Sequence, residues 1–310
     1  MRIGVVIPAY NRPRLTLESM ASVAAQTRAA DRVVIVDDCS TDDTAARAQE
    51  WIDGRDLAIT WSVLRLAKNA GVSSARNDGA CSMADCDVLG FLDSDDLWPV
   101  DMLERAEATF RTQAGAAAVI ADRSVEDSLR DRPARRERYE ALARDPVEWM
   151  IRYGCPTPSS VLVRRNAFDA VGGYDATMPY HEDLACFMRI ARIGSFVHMP
   201  GEPIRYRLGL ANKLGEDGAA TQRFRDRGLR RARVIDAFHE EDPRGVPGRL
   251  RAFGWFRAAR SAYRHGMWRE SRERAARALR CAPWNLRAAW IWTRATVRQM
   301  RERARPHVSS

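Results

Sequence analysis

Apolar residues in the first part of this chain fall into short continuous runs, separated by segments in which they recur at helical spacing. The runs have the length of strands buried on both faces, and they occupy residues 3–10, 33–38, 57–64 and 88–93. The helical spacing is found over residues 15–26, 44–51, 72–83 and 100–113. Strands that alternate with helices predict an α/β fold, a Rossmann-like and mostly parallel sheet flanked by helices.

The pattern is less regular beyond residue 113. Further strands are predicted at 116–122, 159–165 and 195–201, and further helices at 166–173 and 182–193. The segment 123–148 is rich in Arg and Glu, and we expect a loop or a short helix there.

A second part of the chain follows the stretch Gly-Glu-Asp-Gly at 215–218, which is typical of a linker. We therefore expect one domain over residues 1–214 and a helical C-terminal extension over 215–310. Its helical stretches are predicted at 221–240, 247–265 and 268–305, the last broken at Pro283.

Composition limits the class of protein. The 310 residues are 45% hydrophobic and 29% charged, as in globular proteins. No apolar run reaches the roughly 20 residues of a membrane span, and the N-terminal run lacks the cleavage site of a signal peptide. The six scattered cysteines match no common zinc spacing. We expect a cytoplasmic protein with reduced thiols.

Charge is distributed unevenly. Residues 221–310 contain 23 Arg and 8 acidic residues, a net charge of +15, whereas residues 1–220 contain 27 basic and 33 acidic residues, a net charge of −6. The extension also carries five tryptophans, which are Trp255, Trp268, Trp284, Trp290 and Trp292. Trp and Arg on one helix suit peripheral contact with an anionic membrane, at its inner face. The alternative is a helical hairpin whose Trp side chains pack on the first domain or in a homodimer. The extension has no nucleic-acid-binding module, so we expect no nucleic-acid partner.

Acidic residues cluster where predicted strands end or helices begin. The clusters are Asp37-Asp38, Asp93-Ser94-Asp95-Asp96 and Glu182-Asp183. Ligands of parallel α/β sheets bind at the carboxyl ends of the strands. Converging carboxylates repel one another unless a cation lies between them, and oxygen ligands suit Mg²⁺ or Mn²⁺. The alternative, that an acid caps the following helix, is strongest for Asp96.

Six segments in this order resemble the family 2 glycosyltransferases of the GT-A fold, over about residues 1–210. The segments are VVIPAYNRP, IVDDCSTDDT, KNAGVSSARNDG, FLDSDD, SSVLVRRNAFDAVGGYD and HEDLACFMRIARIG. The resemblance implies an inverting, metal-dependent transfer of a sugar to an acceptor hydroxyl. The donor would be a UDP-, GDP- or dTDP-linked sugar, and the acceptor a glycan or a lipid-linked glycan in cell-surface polysaccharide or glycolipid synthesis.

The resemblance also implies roles for individual residues. Asp93-Ser94-Asp95 corresponds to the family's Asp-x-Asp motif, in which Asp93 meets the ribose and Asp95 holds Mn²⁺ or Mg²⁺ on the diphosphate, and Asp93 is also a candidate metal ligand. Asp38 corresponds to the residue that hydrogen-bonds the base. The remaining residues expected to contact the nucleotide-sugar are Pro8, Tyr10, Lys68, Asn69 and Arg76. For Arg76, the alternative is an ordinary surface position on a helix.

Asp183 is the expected catalytic base, because the family places a Glu-Asp motif at the start of this helix. A carboxylate there takes the proton of the acceptor hydroxyl as its oxygen attacks the sugar. Glu182 is expected to hydrogen-bond the acceptor or to cap the helix, and His181 to take no part. Many relatives also have an Arg-x-His segment after the late strand, but Gly209 stands where the His would fall. Arg207 could still contact phosphate, and the strand pattern points His198 away.

Two other functions are compatible with an acidic α/β site. A nucleotidyltransferase would favour a Gly-rich phosphate loop after the first strand, and NRPRLT contains no glycine. A non-catalytic nucleotide-binding or scaffold protein would not need Asp93, Asp95 and Asp183, which are all present.

Overall fold

The structure, a computed structural model, describes residues 1–57, 59–127, 134–178, 180–208, 220–241 and 246–303. These residues divide into two compact units. The first unit comprises Met1–Pro146 and Cys155–Lys213, and the second comprises Val147–Gly154 and Leu214–Ser310. The boundary expected between residues 214 and 215 and the linker expected at 215–218 lie outside the described residues.

The first unit begins with alternating strands and helices, as the apolar pattern predicts. The strands are β1 (Ile3–Ala9), β2 (Arg32–Asp37), β3 (Thr60–Arg65) and β4 (Val88–Phe91). The helices are α1 (Pro13–Ala24), α2 (Thr44–Asp53), α3 (Val72–Cys81) and α4 (Met102–Thr112). All residues of β1 and β4 are buried, which explains why their sequences are continuously apolar.

The remainder of the first unit contains a long strand pair. Its strands are β5 (Ala116–Asp127), β6 (Arg135–Glu137), β7 (Val161–Arg164) and β8 (Ser195–Leu208), and its helices are α5 (Glu140–Arg144), α7 (Arg165–Ala170) and α8 (Glu182–Ile193). Both β5 and β8 extend well beyond their predicted ends, because they pair in parallel as far as Asp127 and Leu208. The segment 123–148, expected to be a loop or a short helix, therefore begins with the second half of a strand.

The sheet has the strand order β3-β2-β1-β4-β7-β5-β6, and β8 pairs with β5. Strands β1 to β4 are mutually parallel, as predicted, but β7 inserts antiparallel to both β4 and β5. This arrangement brings the ends of β1, β2 and β4 together at one edge.

Helix α3 approaches the sheet closely at Gly79. A Cβ atom on Gly79 would lie 2.5 Å from Cγ1 of Val6 and 2.9 Å from Cγ2 of Val36. A glycine that ordinarily weakens a helix is thus required here by packing against β1 and β2. The close contact fixes the position of the residues that α3 presents to the sheet edge.

The second unit is helical. It contains α6 (Pro146–Tyr153), α9 (Ala220–Glu241), α10 (Gly248–Arg264), α11 (Trp268–Cys281) and α12 (Leu286–Arg303). Arg231 donates to the carbonyl of Ile151 at 2.9 Å, which ties α9 to α6. Trp255 is buried and donates through Nε1 to Asp236 at 2.8 Å. Among the helices of the described ranges, none is long and apolar enough to cross a membrane.

Candidate functional site

The site lies where β1, β2 and β4 end at the carboxyl edge of the sheet. The parallel register sets Ala9 beside Asp37, and Asp93 follows the end of β4 by two residues. In the described part of the chain, the non-glycine residues with positive φ are Asn11, Cys39 and His181, at 51°, 61° and 65°. Asn11 and Cys39 follow β1 and β2, and His181 precedes α8. Cys39 thus adjoins the Asp37-Asp38 cluster and His181 adjoins Glu182-Asp183, and left-handed backbone of this kind is common at functional sites.

Arg76 joins two of the three acidic clusters. Its Nη2 donates to Oδ1 of Asp93 at 2.6 Å, and its Nη1 donates to Oε1 of Glu182 at 3.2 Å. The guanidinium lies 5.0 Å from the centre of the Tyr174 ring, which is itself fully buried. Only 4% of the Arg76 side chain is exposed. The alternative of an ordinary surface position is therefore wrong, because α3 carries Arg76 on its buried face.

Asp95 has a different cationic partner. Oδ2 of Asp95 accepts a hydrogen bond from Nη1 of Arg12 at 3.1 Å, and both side chains are largely buried. The Asp95 carbonyl accepts from Nε of Arg207 at 2.6 Å, and Arg207 also pairs with Glu18. The expectation that a bound cation alone relieves the crowding of these acids is therefore wrong, since each carboxylate points to a partner of its own.

Asp96 is a structural residue of the loop. It is fully buried, and its Oδ2 accepts from Oγ of Ser159 at 2.6 Å, while Oγ of Ser159 also accepts from the Asp93 backbone N–H at 3.1 Å. Helix α4 begins only at Met102. The expectation that Asp96 caps this helix is wrong, because its carboxylate is turned inward to fix the Asp93–Asp95 loop.

Asp38 organises the loop that precedes α3. Its Oδ1 accepts from the backbone N–H of Ala70 at 2.7 Å, and its Oδ2 accepts from that of Gly71 at 2.9 Å. Burial raises the pKa of Asp38, although these two hydrogen bonds act in the opposite direction. Neighbouring Lys68 and Asn69 are exposed, so the loop that Asp38 holds presents one cation and one amide to solvent.

Glu182 and Asp183 occupy the first turn of α8. Burial, together with the charge of Asp183, raises the pKa of Glu182, although Arg76 lowers it. Oδ1 of Asp183 accepts from the backbone N–H of Leu184 at 2.7 Å. The two adjacent acids thus differ in environment, because Glu182 is tied to Arg76 and Asp183 to the start of its own helix.

The comparison with protein families decides the assignment. The sequence model of glycosyl transferase family 2 matches residues 4–172, more than half of the chain. The chain belongs to glycosyl transferase family 2.

Individual relatives agree with this family. The UDP-Glc:alpha-D-GlcNAc-diphosphoundecaprenol beta-1,3-glucosyltransferase WfgD of Escherichia coli is 32% identical over 102 residues, 33% of this chain and 38% of WfgD. The succinoglycan biosynthesis protein ExoW of Rhizobium meliloti is 40% identical over 111 residues, 34% of this chain and 33% of ExoW. The matched segments thus span well under half of these two relatives.

The fold matches a solved structure over nearly its full length. The crystal structure of residues 1–349 of TarS from S. aureus aligns with a TM-score of 0.67 at 15% identity, covering 99% of this chain and 93% of that chain. The same TarS fragment has been solved in complex with UDP-GlcNAc. At this identity the likeness establishes the GT-A fold.

Most of the residues expected to form the family 2 site lie around this edge of the sheet. Pro8 is buried within β1, Tyr10 follows β1 with 43% of its surface exposed, and Ser94 is buried between the two aspartates. His198 instead lies on β8, where its Nε2 is 2.8 Å from Oδ1 of Asp122 on β5.

Few protein side chains are available as ligands of a divalent cation. In the described residues, no three or more His, Cys, Asp or Glu side chains group into a site that could hold a metal ion. Asp93 keeps 25% of its side chain exposed and meets Arg76 through Oδ1. Mg²⁺ is commonly held by one or two carboxylates with the remaining positions left to substrate phosphates and water. The carboxylates of Asp93 and Asp95 fit a cation bound in that way, which would share Asp95 with Arg12.

Three supporting residues were missed by the sequence reasoning. Arg12 stands in the quoted VVIPAYNRP segment, and Ser159 and Tyr174 stand in SSVLVRRNAFDAVGGYD, but none was given a role there. Their presence in two segments that resemble the family was the one indication that these residues belong to the site. Their partners, Asp95, Asp96 and Arg76, are too distant in the sequence for spacing to reveal the pairs.

Proposed function

We propose that this chain is a metal-dependent, inverting glycosyltransferase, with a catalytic domain over residues 1–214 and a helical extension over 215–310. The observation that carries the proposal is the buried Arg76, which ties Asp93 of the Asp-Ser-Asp loop to Glu182, the neighbour of Asp183. The Arg76 guanidinium thereby fixes the Asp93–Asp95 loop relative to the first turn of α8, which carries the candidate catalytic base Asp183. Both lie at the edge of the sheet where α/β folds bind nucleotides.

The donor in this proposal is a UDP-, GDP- or dTDP-linked sugar. The nucleobase of this donor lies beside Pro8 and Tyr10 and hydrogen-bonds Asp38. Asp93 and Ser94 contact the ribose and the diphosphate. Lys68 and Asn69 lie on an exposed loop and are available to the nucleotide. Arg76 contributes by orienting Asp93, because its Nη1 and Nη2 both donate to carboxylates. The TarS complex with UDP-GlcNAc, on the same fold, supports a nucleotide-sugar as ligand.

Mn²⁺ or Mg²⁺ is the proposed cofactor, held by Asp95 and Asp93. When bound, it supplies positive charge that stabilises the departing nucleoside diphosphate. Two hydrogen bonds fix the position of Asp95 for this role. Arg207 donates to its backbone carbonyl, and Arg12 donates to its carboxylate.

Asp183 is the proposed base. It takes the proton of the acceptor hydroxyl while the hydroxyl oxygen forms a bond to the anomeric carbon and the bond to the diphosphate breaks. Attack from the face opposite the leaving group inverts the anomeric centre. Glu182 binds Arg76, which in turn binds Asp93. This chain of contacts keeps the donor site at a fixed distance from the catalytic base Asp183.

The acceptor is proposed to be a glycan or a lipid-linked glycan, in the synthesis of a cell-surface polysaccharide or glycolipid. Two relatives support this class, since the name of WfgD specifies a diphosphoundecaprenol-linked acceptor and that of ExoW a role in succinoglycan biosynthesis.

A ligand screen tests the proposed donor and cofactor. The melting temperature of the full chain is measured with UDP, GDP and dTDP, each with and without Mn²⁺. We expect one nucleotide to raise it, and Mn²⁺ to increase the effect. Asp95→Ala should lose the Mn²⁺-dependent part, while the control Asp169→Asn, with 56% of its side chain exposed, should keep it. No shift with any nucleotide, or an unchanged Mn²⁺ effect in Asp95→Ala, would contradict the proposal.

A further inference from the structure

Helix α12 carries two apolar faces, of which only one is covered. Ala288, Ile291 and Ala295 are buried against the neighbouring helices. On the opposite side lies an outer stripe formed by Leu286, Trp290, Thr293, Val297 and Met300, which follow one another in steps of four and three residues and so share one face.

The outer stripe is exposed to an unusual degree for its composition. Leu286 is 82% exposed, Met300 64%, Trp290 54% and Val297 43%. Thr293 continues the apolar surface, because its hydroxyl donates to the carbonyl of Ala289 at 3.0 Å within the helix. Trp284, in the turn before α12, is 80% exposed and adds a further exposed apolar side chain two residues before Leu286. A continuous exposed row of this kind marks an interaction surface.

Basic residues flank the outer stripe. Arg287, Arg294 and Arg298 follow one edge of α12, and Arg294 lies over the Trp290 ring at 4.7 Å from its centre. Between residues 286 and 300 the sequence contains these three Arg and no acidic residue. The cations thus border the apolar row and have no acids on the same helix segment to neutralise them.

The other edge of α12 is basic as well. Trp292 projects there over an open depression of about 430 Å³, whose further lining residues come from α11: Arg272, Glu273, Ala276, Arg277 and Arg280. Three guanidinium groups against one carboxylate favour an anion in this depression. The apolar row is therefore bordered by positive charge on both sides.

We propose that the outer stripe of α12 lies flat on an anionic lipid surface, with Trp284, Trp290 and Val297 in the headgroup–acyl boundary and the flanking Arg side chains on lipid phosphates. Apolar residues along one face with Arg along both edges complement the layered chemistry of such a surface. A second copy of this chain fits less well, because pairing two outer stripes would bring the Arg rows together without acidic residues between them. The proposal rests on the second unit alone and does not depend on the proposed transferase activity.

Flotation of the full chain with vesicles tests this proposal. We expect recovery with vesicles of phosphatidylcholine and phosphatidylglycerol, little recovery with phosphatidylcholine alone, and weaker recovery at high salt. The double variant Val297→Glu/Met300→Glu should partition about tenfold more weakly. Ile193→Glu is the matched control, since Ile193 is an equally exposed apolar residue on α8, at 53%. Arg294→Gln/Arg298→Gln should also weaken binding, unlike the exposed pair Arg111→Gln/Arg144→Gln, at 70% and 79%.

Melting temperatures confirm that each variant is folded, and the milder Val297→Ser provides a second test of the stripe. The proposal is overturned if the wild-type chain fails to float with anionic vesicles, if it floats equally well with neutral ones, or if the double variant floats like the wild type. Light scattering measures the oligomeric state, which tests whether the outer stripe binds a second copy of the chain instead. A wild-type dimer that becomes monomeric in Val297→Glu, without lipid binding, would assign the stripe to a second copy.

Discussion

Arg76 donates a hydrogen bond of 2.6 Å from Nη2 to Oδ1 of Asp93, and its side chain is almost completely buried. The same guanidinium reaches Glu182 through Nη1 at 3.2 Å. An arginine fork can hold two carboxylates at fixed angles, whereas a lysine ammonium acts as a single point charge. The arrangement of the candidate site therefore depends on this one guanidinium.

Two substitutions of Arg76 distinguish the effect of its charge from that of its forked geometry: Arg76→Lys keeps the charge, and Arg76→Ala removes it. In Arg76→Lys, we expect the donor kcat/KM to fall by about tenfold to a hundredfold, because Lys cannot hold both acids. In Arg76→Ala, the free energy of unfolding should fall by about 2–3 kcal/mol, since two mostly buried carboxylates lose their partner. Urea denaturation measures the second effect. Arg14→Ala is the control and should change little, because 79% of the Arg14 side chain is exposed.

The raised pKa of Glu182 predicts the acidic limb of the activity profile. As the pH falls, Glu182 takes up a proton at a higher pH than an ordinary glutamic acid, and its ion pair with Arg76 weakens. The acidic limb of kcat/KM should lie correspondingly high and should move to lower pH in Glu182→Gln, whose amide does not titrate. A limb at the same pH in both proteins would exclude Glu182 as its origin.

Stability should respond to the same group in a defined direction. The folded state keeps the Glu182 proton to a higher pH than the unfolded chain does, because the folded pKa is raised. The contribution of Glu182 to stability therefore declines as the pH rises from the unfolded value through the folded one.

Asp122 should show the opposite pH dependence. Burial alone would raise its pKa, but hydrogen bonds from the Tyr139 N–H, His198 and Arg136 outweigh this and lower the pKa. The stabilisation is present above the unfolded pKa and is lost as the pH falls through the folded one. Asp122→Asn should cost about 1–3 kcal/mol near neutral pH and less in acid. Thermal unfolding across pH checks this, with exposed Asp56→Asn as control; a loss independent of pH would be inconsistent with the carboxylate's role.

Gly79→Ala tests the packing of α3 on the sheet. Alanine favours helices by about 1 kcal/mol over glycine, yet the new methyl group would overlap Val6 and Val36. We expect a net loss of about 1–3 kcal/mol, measured by urea denaturation. The control is Gly115→Ala, whose Cβ would meet no atom within 4 Å. A stabilised Gly79→Ala protein would show that the contact is not restrictive.

Much of the fold could be predicted from the sequence because it is local. The continuous apolar runs predict β1, β2 and β4 closely. Of the acidic clusters expected to converge, Asp93 and Glu182 are brought together by Arg76. The antiparallel β7 between β4 and β5 was not predicted, since a four-residue strand carries no signal for its direction. The same limit applies to β8, whose extension to Leu208 depends on pairing with β5.

Within the site, residue types were easier to predict than partners. The acidic motif singled out Asp93 and Asp95, but the sequence alone allowed Asp96 to be a helix cap and Arg76 to be a surface residue. Both alternatives were wrong because a tertiary contact takes precedence. Ser159 is 63 residues from Asp96, and Glu182 is 106 residues from Arg76. For the extension, the Trp pattern left packing and membrane contact open, and the buried Trp255 and exposed Trp284 show that its tryptophans differ.

The most direct test of the transferase proposal is sugar transfer by Asp183→Asn. Product is measured with the donor selected by the nucleotide screen and Mn²⁺, and donor binding is measured on the same protein by thermal shift. We predict that wild type and Asp169→Asn form product with an inverted anomeric centre. Asp183→Asn should bind the donor normally and lose transfer by about a thousandfold or more. Undiminished transfer by Asp183→Asn would contradict the assignment of the base, and no transfer by the wild type with any nucleotide-sugar would contradict the proposed function itself.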